Sequence, residues 1–243
     1  MTSTPSILVT EERGITTLAL DSPATRNALS VPLVAELSEA LTAAGKDPAV
    51  RAVVLTHTGG TFCAGADLKA PPSPYVFVDL LRQVVELPKP VVAHVTGHTR
   101  AGGLGLLGAC DVVVAGEGAD FALTEVRIGV APAVISLTLL PKLEPRAAAR
   151  YYLTGERFGV AEAVGMGLVT AADAELDAIL DALRAASPQG LREAKRLVTA
   201  RVLETFDRDA EDLVRRSATL FASAEAREGM TAFLERRDPE WRL

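Results

Sequence analysis

The chain has 243 residues, 49% of them apolar and 23% charged, and a formal net charge of −6. That length and balance suit a soluble protein with one large core, or a core with an appendage. No basic run or stripe is present, which argues against a nucleic-acid partner; an anionic ligand needs a local positive patch against the overall field.

Ile7-Leu8-Val9 and Ile15 to Leu20 read as two strands joined by a short turn at Glu12-Arg13-Gly14. Asp21-Ser22-Pro23 breaks the second strand, and Ser30 then caps a helix with Pro32 in its first turn. Its apolar positions, Leu33, Val34, Leu37 and Leu41, follow helical spacing. Ala52 to Thr56 is a strand running into a turn of near-naked backbone, Gly59 to Leu68. Tyr75 to Leu87 is helical by its apolar period, and Pro88 and Pro90 end it. Val91 to Val95 reads as a buried parallel strand. Arg100-Ala101-Gly102-Gly103 is a second small-residue turn that opens a helix from Gly103 to Ala109. Strands at Val112–Val114 and Phe121–Leu123 follow, the latter leading into Glu125. Strands alternating with helices argue for an α/β layer architecture.

From about residue 145 the pattern turns helical: Pro145–Leu153, Val160–Val164, Leu176–Ala186, Pro188–Leu203, Asp207–Phe221 and Glu225–Arg236, with one strand expected at Leu168–Thr170. There is no low-complexity linker, so this tail is expected to be packed as a lid or an oligomerisation element. The division is a core over 1–187 and a helical region over 188–243.

Cys63 and Cys110 are the two cysteines, read as small buried residues in a reducing cytoplasm. No charged leader opens the chain and no apolar run approaches the roughly 20 residues of a membrane span. A cytoplasmic protein without a membrane partner is the expectation. No His, Cys, Asp and Glu spacing suits a metal, and no serine has a nucleophile-elbow context, so no metal or redox cofactor is expected.

Gly103-Leu104-Gly105-Leu106-Leu107-Gly108 matches GxGxxG. Three readings stand: a dinucleotide fingerprint, glycines for tight helix packing, or a helix start whose Gly102 N–H binds an oxyanion. The first is disfavoured by the intervening Gly97-His98-Thr99-Arg100-Ala101. Two bare N–H groups facing one oxygen, with the carboxylate of Glu125 nearby, would stabilise an enolate and move a proton.

These elements resemble the crotonase superfamily, the enoyl-CoA hydratase/isomerase family, over essentially the whole chain. The resemblance rests on Arg26-Asn27-Ala28-Leu29, Phe62 to Leu68, Gly97 to Gly103 with Cys110-Asp111, Phe121 to Gly129, Leu153 to Glu156, and Glu228 to Phe233, in that order. It implies a spiral of ββα units with a helical C-terminal part that trimerises, often into hexamers. It implies that the N–H groups of Ala64 and Gly102 bind the thioester oxygen of an acyl-CoA substrate, with Glu125 as general acid/base. Coenzyme A would lie against Ala28, Ala66, Asp67 and Leu68, with Arg26 and Lys69 on its phosphates and Phe233 and Arg236 reaching it from a neighbouring subunit.

The match departs from the family at one catalytic position. Hydratases of the family use two glutamates, and Gly105 stands where the first belongs. One remaining acid is the pattern of the enoyl-CoA isomerases, so the resemblance implies hydratase chemistry, one-base isomerase chemistry, or acyl-CoA binding without turnover. The segment from Leu68 to Pro90 is shorter than usual for the family. Arg100 is read either as an outward-facing cation or as a contact for a second carboxylate on the acyl group, and His98 as a candidate to line the site.

Overall fold

The structure is a computed structural model and describes residues 5–243. Strands β1 (Ile7–Glu12) and β2 (Ile15–Leu20) form an antiparallel hairpin in which Ile7 faces Leu20 and Glu12 faces Ile15. Its two-residue turn, Arg13-Gly14, has positive φ at both positions, the geometry that matches strand twist. Helix α1 (Val31–Lys46) starts where the Ser30 hydroxyl accepts the Leu33 N–H, and it buries Leu33, Val34, Leu37, Leu41 and Ala44.

Three ββα turns follow. The first is β3 (Ala52–His57), β4 (Thr61–Cys63) and α2 (Pro74–Glu86); the second is β5 (Val91–Val95), β6 (His98–Arg100) and α3 (Gly102–Ala109). The third is β7 (Val112–Ala115), β8 (Asp120–Ala122), a 3-10 turn over Thr124–Ile128 and α4 (Ser136–Leu139). Beyond them lie α5 (Pro145–Thr154), β9 (Arg157–Gly159), α6 (Val160–Gly165), β10 (Ala171–Ala172), α7 (Leu176–Ala185), α8 (Pro188–Phe221) and α9 (Ala224–Glu235).

In each ββα unit the first strand joins a six-stranded sheet, ordered β1-β2-β3-β5-β7-β10, and the second joins a four-stranded sheet, ordered β4-β6-β8-β9. Pairing is parallel except for β1 with β2 and β8 with β9. Val53, Leu55, Val91, Ala93 and Val95 face the main core, while Ala52, Val54, Val92 and Val114 face Leu180 on α7. Coverage of both faces is why these strands are apolar without alternation. No helix among the described residues is long and apolar enough to cross a membrane.

Three expectations change. β4, β6 and β9 are only three residues each and too short to show a period of two, so the second sheet was not legible. The strand expected at Leu168–Thr170 forms immediately after that segment, at Ala171–Ala172, while Leu168 and Val169 are buried in the main core. The helices expected at Pro188–Leu203 and Asp207–Phe221 are one 34-residue helix, α8. No breaker separates them: Phe206 is buried, and the Thr205 hydroxyl lies within hydrogen-bonding distance of both the Val202 and Leu137 carbonyls.

One buried ion pair fastens α8 to the core. The Lys195 ammonium lies 2.8 Å from Asp111 and also donates to the carbonyls of Val84 and Lys89, while Asp111 accepts the Val91 N–H. Removing one partner of such a pair leaves a buried charge uncompensated. Lys195→Met is expected to lose about 3–5 kcal/mol in urea unfolding, and adding Asp111→Asn to recover part of that loss. A loss in the double variant equal to the sum of the two single losses would show that the pair is not coupled.

Candidate active site

Three chain segments are delivered together by the second sheet. β4, β6 and β8 are adjacent and parallel, with Cys63 beside Thr99 and Arg100 beside Ala122. Their carboxyl ends therefore release the turn at 64–67, the turn at 101–103 and the segment carrying Glu125 at one edge. Neighbouring strands lie about 4.8 Å apart, so segments distant in sequence become contacts.

The first turn is held from the side by the loop after β2. The Leu29 N–H donates to Gly65 O at 2.8 Å, and the Asp67 N–H donates to Leu29 O at 3.0 Å. The Ala64 N–H donates to Arg26 O at 3.0 Å, whereas the Ala66 N–H has no acceptor among the described residues. The expectation for Ala64 is accordingly not carried forward; its amide is already engaged within the fold, and the free amide of this turn belongs to Ala66. Asn27, fully buried, ties the loop down. Its amide donates to the carbonyls of Thr58 (3.2 Å) and Thr61 (2.7 Å) and its oxygen accepts the Ser22 N–H at 2.7 Å.

The second turn lies directly against the first. A Cβ on Gly65 would sit 3.1 Å from Ala101 Cβ, and one on Gly103 would sit 2.7 Å from Cys63 Cβ. Ala101 adopts φ 46° and ψ −117°, a conformation that L residues rarely hold. That turn directs the chain into α3, whose first residue, Gly102, has an N–H without an acceptor among the described residues, as expected at a helix start. A Cβ at Gly102 would strike Leu29 Cδ1 at 2.7 Å, and Phe77 of α2 closes the same side.

The glycines of α3 are packing glycines. Gly105 is filled by Ile135, whose Cγ2 would lie 2.5 Å from an added Cβ, and Gly108 by Leu139 and Thr138 at 2.9 Å. The Thr138 hydroxyl donates to Gly105 O at 2.9 Å. With protein filling these faces, no room remains for a dinucleotide pyrophosphate along them. The position at which the resemblance would put a first glutamate is Gly105, and the space beside it is taken by Ile135.

Glu125 stands in the 3-10 turn just past β8 and is 8% exposed. Its Oε2 is buried without a hydrogen-bond partner, and it makes no ion pair among the described residues; Arg127 is exposed beside it. Burial raises its pKa to about 7, partly opposed by its own backbone N–H. The turn is clamped by α9, since Gly129 meets the backbone at Glu225–Ala226 and Gly229 meets that of Ile128.

The remaining candidates divide. Arg26, in a left-handed conformation, and Lys69 are exposed and in no ion pair among the described residues. Ala28 and Leu68 are half-buried, flanking the first turn; the Asp67 carboxylate accepts the Lys69 N–H at 3.0 Å and so caps its own turn. Phe233 is 58% exposed and Arg236 is exposed, and the single chain brings neither to the turns through a side-chain hydrogen bond or ion pair. Arg100 is not free: it lies 2.7 Å from Asp120 and donates to Thr99 O and Asp120 O. His98 joins the same carboxylate at 2.7 Å. Burial works against the Asp120 charge, but Arg100 and His98 overcome it and hold its pKa below the usual range. Arg100 is thereby tied to Asp120, whereas the exposed His98 keeps its Nε2 without a partner among the described residues. Burial lifts both Cys63 and Cys110 to about 12, so both stay thiols.

A family model for enoyl-CoA hydratase/isomerase matches residues 10–243. The chain belongs to that family. A crystal structure of an enoyl-CoA hydratase from Mycobacterium avium is 52% identical, covers 99% of this chain and 100% of its own, and superposes with a TM-score of 0.93. The enoyl-CoA hydratase EchA19 of Mycobacterium tuberculosis is 34% identical over 98% of this chain and 97% of its own. A carnitinyl-CoA hydratase structure from Mycobacterium avium is 28% identical, covers 99% of both chains and has a TM-score of 0.88. The chain is thus an enzyme of the hydratase/isomerase family with the crotonase fold, over its full described length.

Sequence reasoning named Asn27 and Ala101 only as members of their motifs, without a role, and missed the contact of Ile135 with Gly105. Only Asn27 had a local signal, as a residue suited to left-handed backbone between a proline turn and a cap; the others matter through contacts across the fold. Ala101→Gly is expected to stabilise the protein by about 1 kcal/mol, read as a higher urea midpoint, because glycine adopts that turn without strain. Gly105→Ala is expected to lose about 1–3 kcal/mol by overpacking against Ile135, and Ile135→Ala to restore part of it in the double variant. Additive losses in that cycle would show that the two residues do not share the slot.

Proposed function

We propose that the chain binds an acyl-CoA thioester with its carbonyl oxygen between the N–H groups of Ala66 and Gly102, and that Glu125 moves a proton on the acyl group. The observation that carries this reading is a buried, unpaired carboxyl released by β8, beside two turns that each carry one free amide. Removing a proton alpha to a thioester places negative charge on its oxygen. Preorganised N–H donors at that oxygen are worth roughly 10²–10³ in rate each. A carboxyl with a pKa near 7 can both take and return the proton at neutral pH.

The relatives carry hydratase names, but Gly105 and Ile135 favour a one-base transfer in this chain. Hydration by two carboxylates needs a second acid to hold the water, and the slot is filled by a methyl group. Shuttling a proton between C2 and C4 of an enoyl thioester needs only Glu125. Weak hydration of simple enoyl-CoA and easier double-bond migration follow from that difference. Backbone at Ala28, Ala66 and Leu68 holds the coenzyme, and Arg26 and Lys69 supply the positive charge its phosphates require. In a homotrimer or hexamer, the exposed Phe233 and Arg236 reach a neighbour's coenzyme.

The test is a panel of 2-enoyl-, 3-enoyl- and 3-hydroxyacyl-CoA esters against wild type and Glu125→Gln. Double-bond migration is expected to lose about 10²–10⁴ in kcat in the variant. Rapid hydration of a straight-chain 2-enoyl-CoA that survives Glu125→Gln would end this reading.

The pH dependence has a defined sign. As the base, Glu125 must be ionised, so kcat/KM is expected to rise with pH and level off above about 7. In stability the sign is opposite: folding raises this pKa, so the native state favours the neutral acid. The associated stability is full below about 4.5 and is lost as pH rises through about 7. Glu125→Gln is therefore expected to gain in melting temperature over wild type above pH 7 and not at pH 4.5. An equal difference at both pH values would show that Glu125 is not desolvated.

A further inference from the structure

A cavity of about 670 Å³ lies on the Glu125 side of the fold, and proton transfer alone does not account for it. The link to Glu125 is short. The N–H groups of Gly129 and Val130 donate to Glu125 O, and the next residue, Ala131, begins the cavity wall that Pro132, Ala133 and Leu137 continue. The wall is completed by Tyr152 of α5. One turn beyond Tyr152, a Cβ on Gly155 would touch Val126 Cγ2 at 3.1 Å and Leu123 O at 3.2 Å, so that end of α5 rests on the Glu125 segment. Two hydroxyls interrupt this apolar wall, those of Tyr152 and Ser136, 3.3 Å apart.

We infer that this cavity receives the acyl part of the thioester and that the Tyr152 hydroxyl, held by Ser136, recognises a neutral oxygen substituent on it, a hydroxyl or a keto group. The inference rests on the proposed acyl-CoA chemistry and names the substrate class of that site.

The hydrogen bonds leave Tyr152 with capacity to bind. Ser136 has one proton, which it donates to Pro132 O at 2.6 Å. The Ser136 hydroxyl is also turned toward the Tyr152 oxygen as donor, at 3.3 Å, well beyond the roughly 2.7–2.8 Å of a good O–H···O bond, so the Tyr152 proton has no acceptor among the described residues. A ligand oxygen can take that proton, and a ligand hydroxyl can donate to the open lone pairs of the phenol. Burial, and to a lesser degree the charge of Glu125, raise the Tyr152 pKa, while the contact with Ser136 lowers it; the phenol stays protonated.

The opposite wall decides between a neutral oxygen and a carboxylate. There α8 places Arg201, Arg208 and Arg216 against Glu204, Asp209 and Asp212, three charges of each sign. Arg208 pairs with Asp209 at 2.6 Å and Arg216 with Asp212 at 3.2 Å. A wall with no net charge offers an anion no net attraction, whereas a hydroxyl or ketone needs only the phenol.

The experiment compares kcat/KM for four 3-enoyl-CoA esters of equal chain length whose acyl ends are alkyl, hydroxyl, keto or carboxylate. Wild type is expected to prefer the hydroxyl or keto ester over the alkyl ester by about tenfold, the factor one neutral hydrogen bond supports. Tyr152→Phe is expected to remove that ratio, chiefly through KM, because the contact is made before and during reaction. Competition between saturated hydroxyacyl- and acyl-CoA for wild type reads the same preference without any variant. A preference for the alkyl or carboxylate ester, or a ratio unchanged in Tyr152→Phe, overturns the inference while leaving the acyl-CoA reading intact. Absence of turnover on all four esters, with Glu125→Gln indistinguishable from wild type, overturns both.

Discussion

Three short parallel strands ending side by side are the constraint on which everything functional depends. β4, β6 and β8 contribute only three residues each, yet their pairing fixes where Ala66, Gly102 and Glu125 emerge. A site built on strand ends is more exact than one built on free loops, because each emerging residue inherits the register of its ladder. The ladder is reinforced at the point of exit: the Ala101 N–H donates to Ala122 O at 3.1 Å. Slipping one of these strands by a residue would invert its side chains and carry its turn away from the others.

Local rules are broken at the same edge. Ala101 sits in a glycine-type conformation, and among the described residues the amides of Ala66 and Gly102 lack acceptors and a buried carboxyl oxygen has no partner. Each is unfavourable by itself, and each is held by packing that has no freedom to relax. Gly65 and Gly103 bring the two turns into contact, Asn27 anchors one of them, and α9 presses on the segment of Glu125. Departures from local consistency that cluster at one place, in a fold otherwise consistent, are the mark of a working site.

The sequence disclosed what depends on long or distinctive local patterns. The apolar runs of β3 and β5, the Ser30 cap and the period of α2 are local, and each stands where it was read within a residue or two. What depends on tertiary contact was hidden. Strands of three residues carry no period, and nothing local says whether α8 runs through residues 204–206 or breaks there. The two amides of the first turn show the limit most clearly. Ala64 and Ala66 are the same residue type on either side of Gly65, and only the partner of Ala64, the Arg26 carbonyl from a distant loop, distinguishes them. The sequence located the turn; the hydrogen-bond pattern shows which of its amides is engaged within the fold.

Gly105 and Ile135 belong together by volume, and this bears on how chemistry changes within one fold. Glycine in a buried helix is unfavourable unless a neighbour fills the space its missing side chain leaves. Ile135 does so, reaching to where a Cβ would be. A glutamate at 105 would therefore meet an isoleucine already in place, and its carboxylate would be pushed into an apolar wall without a partner. A glycine at 105 is thus built into the packing of α3 against the segment of Ile135, a constraint that extends beyond that single residue. Burial of Glu125 on the neighbouring segment raises its pKa, and its charge is felt in turn by the Tyr152 phenol.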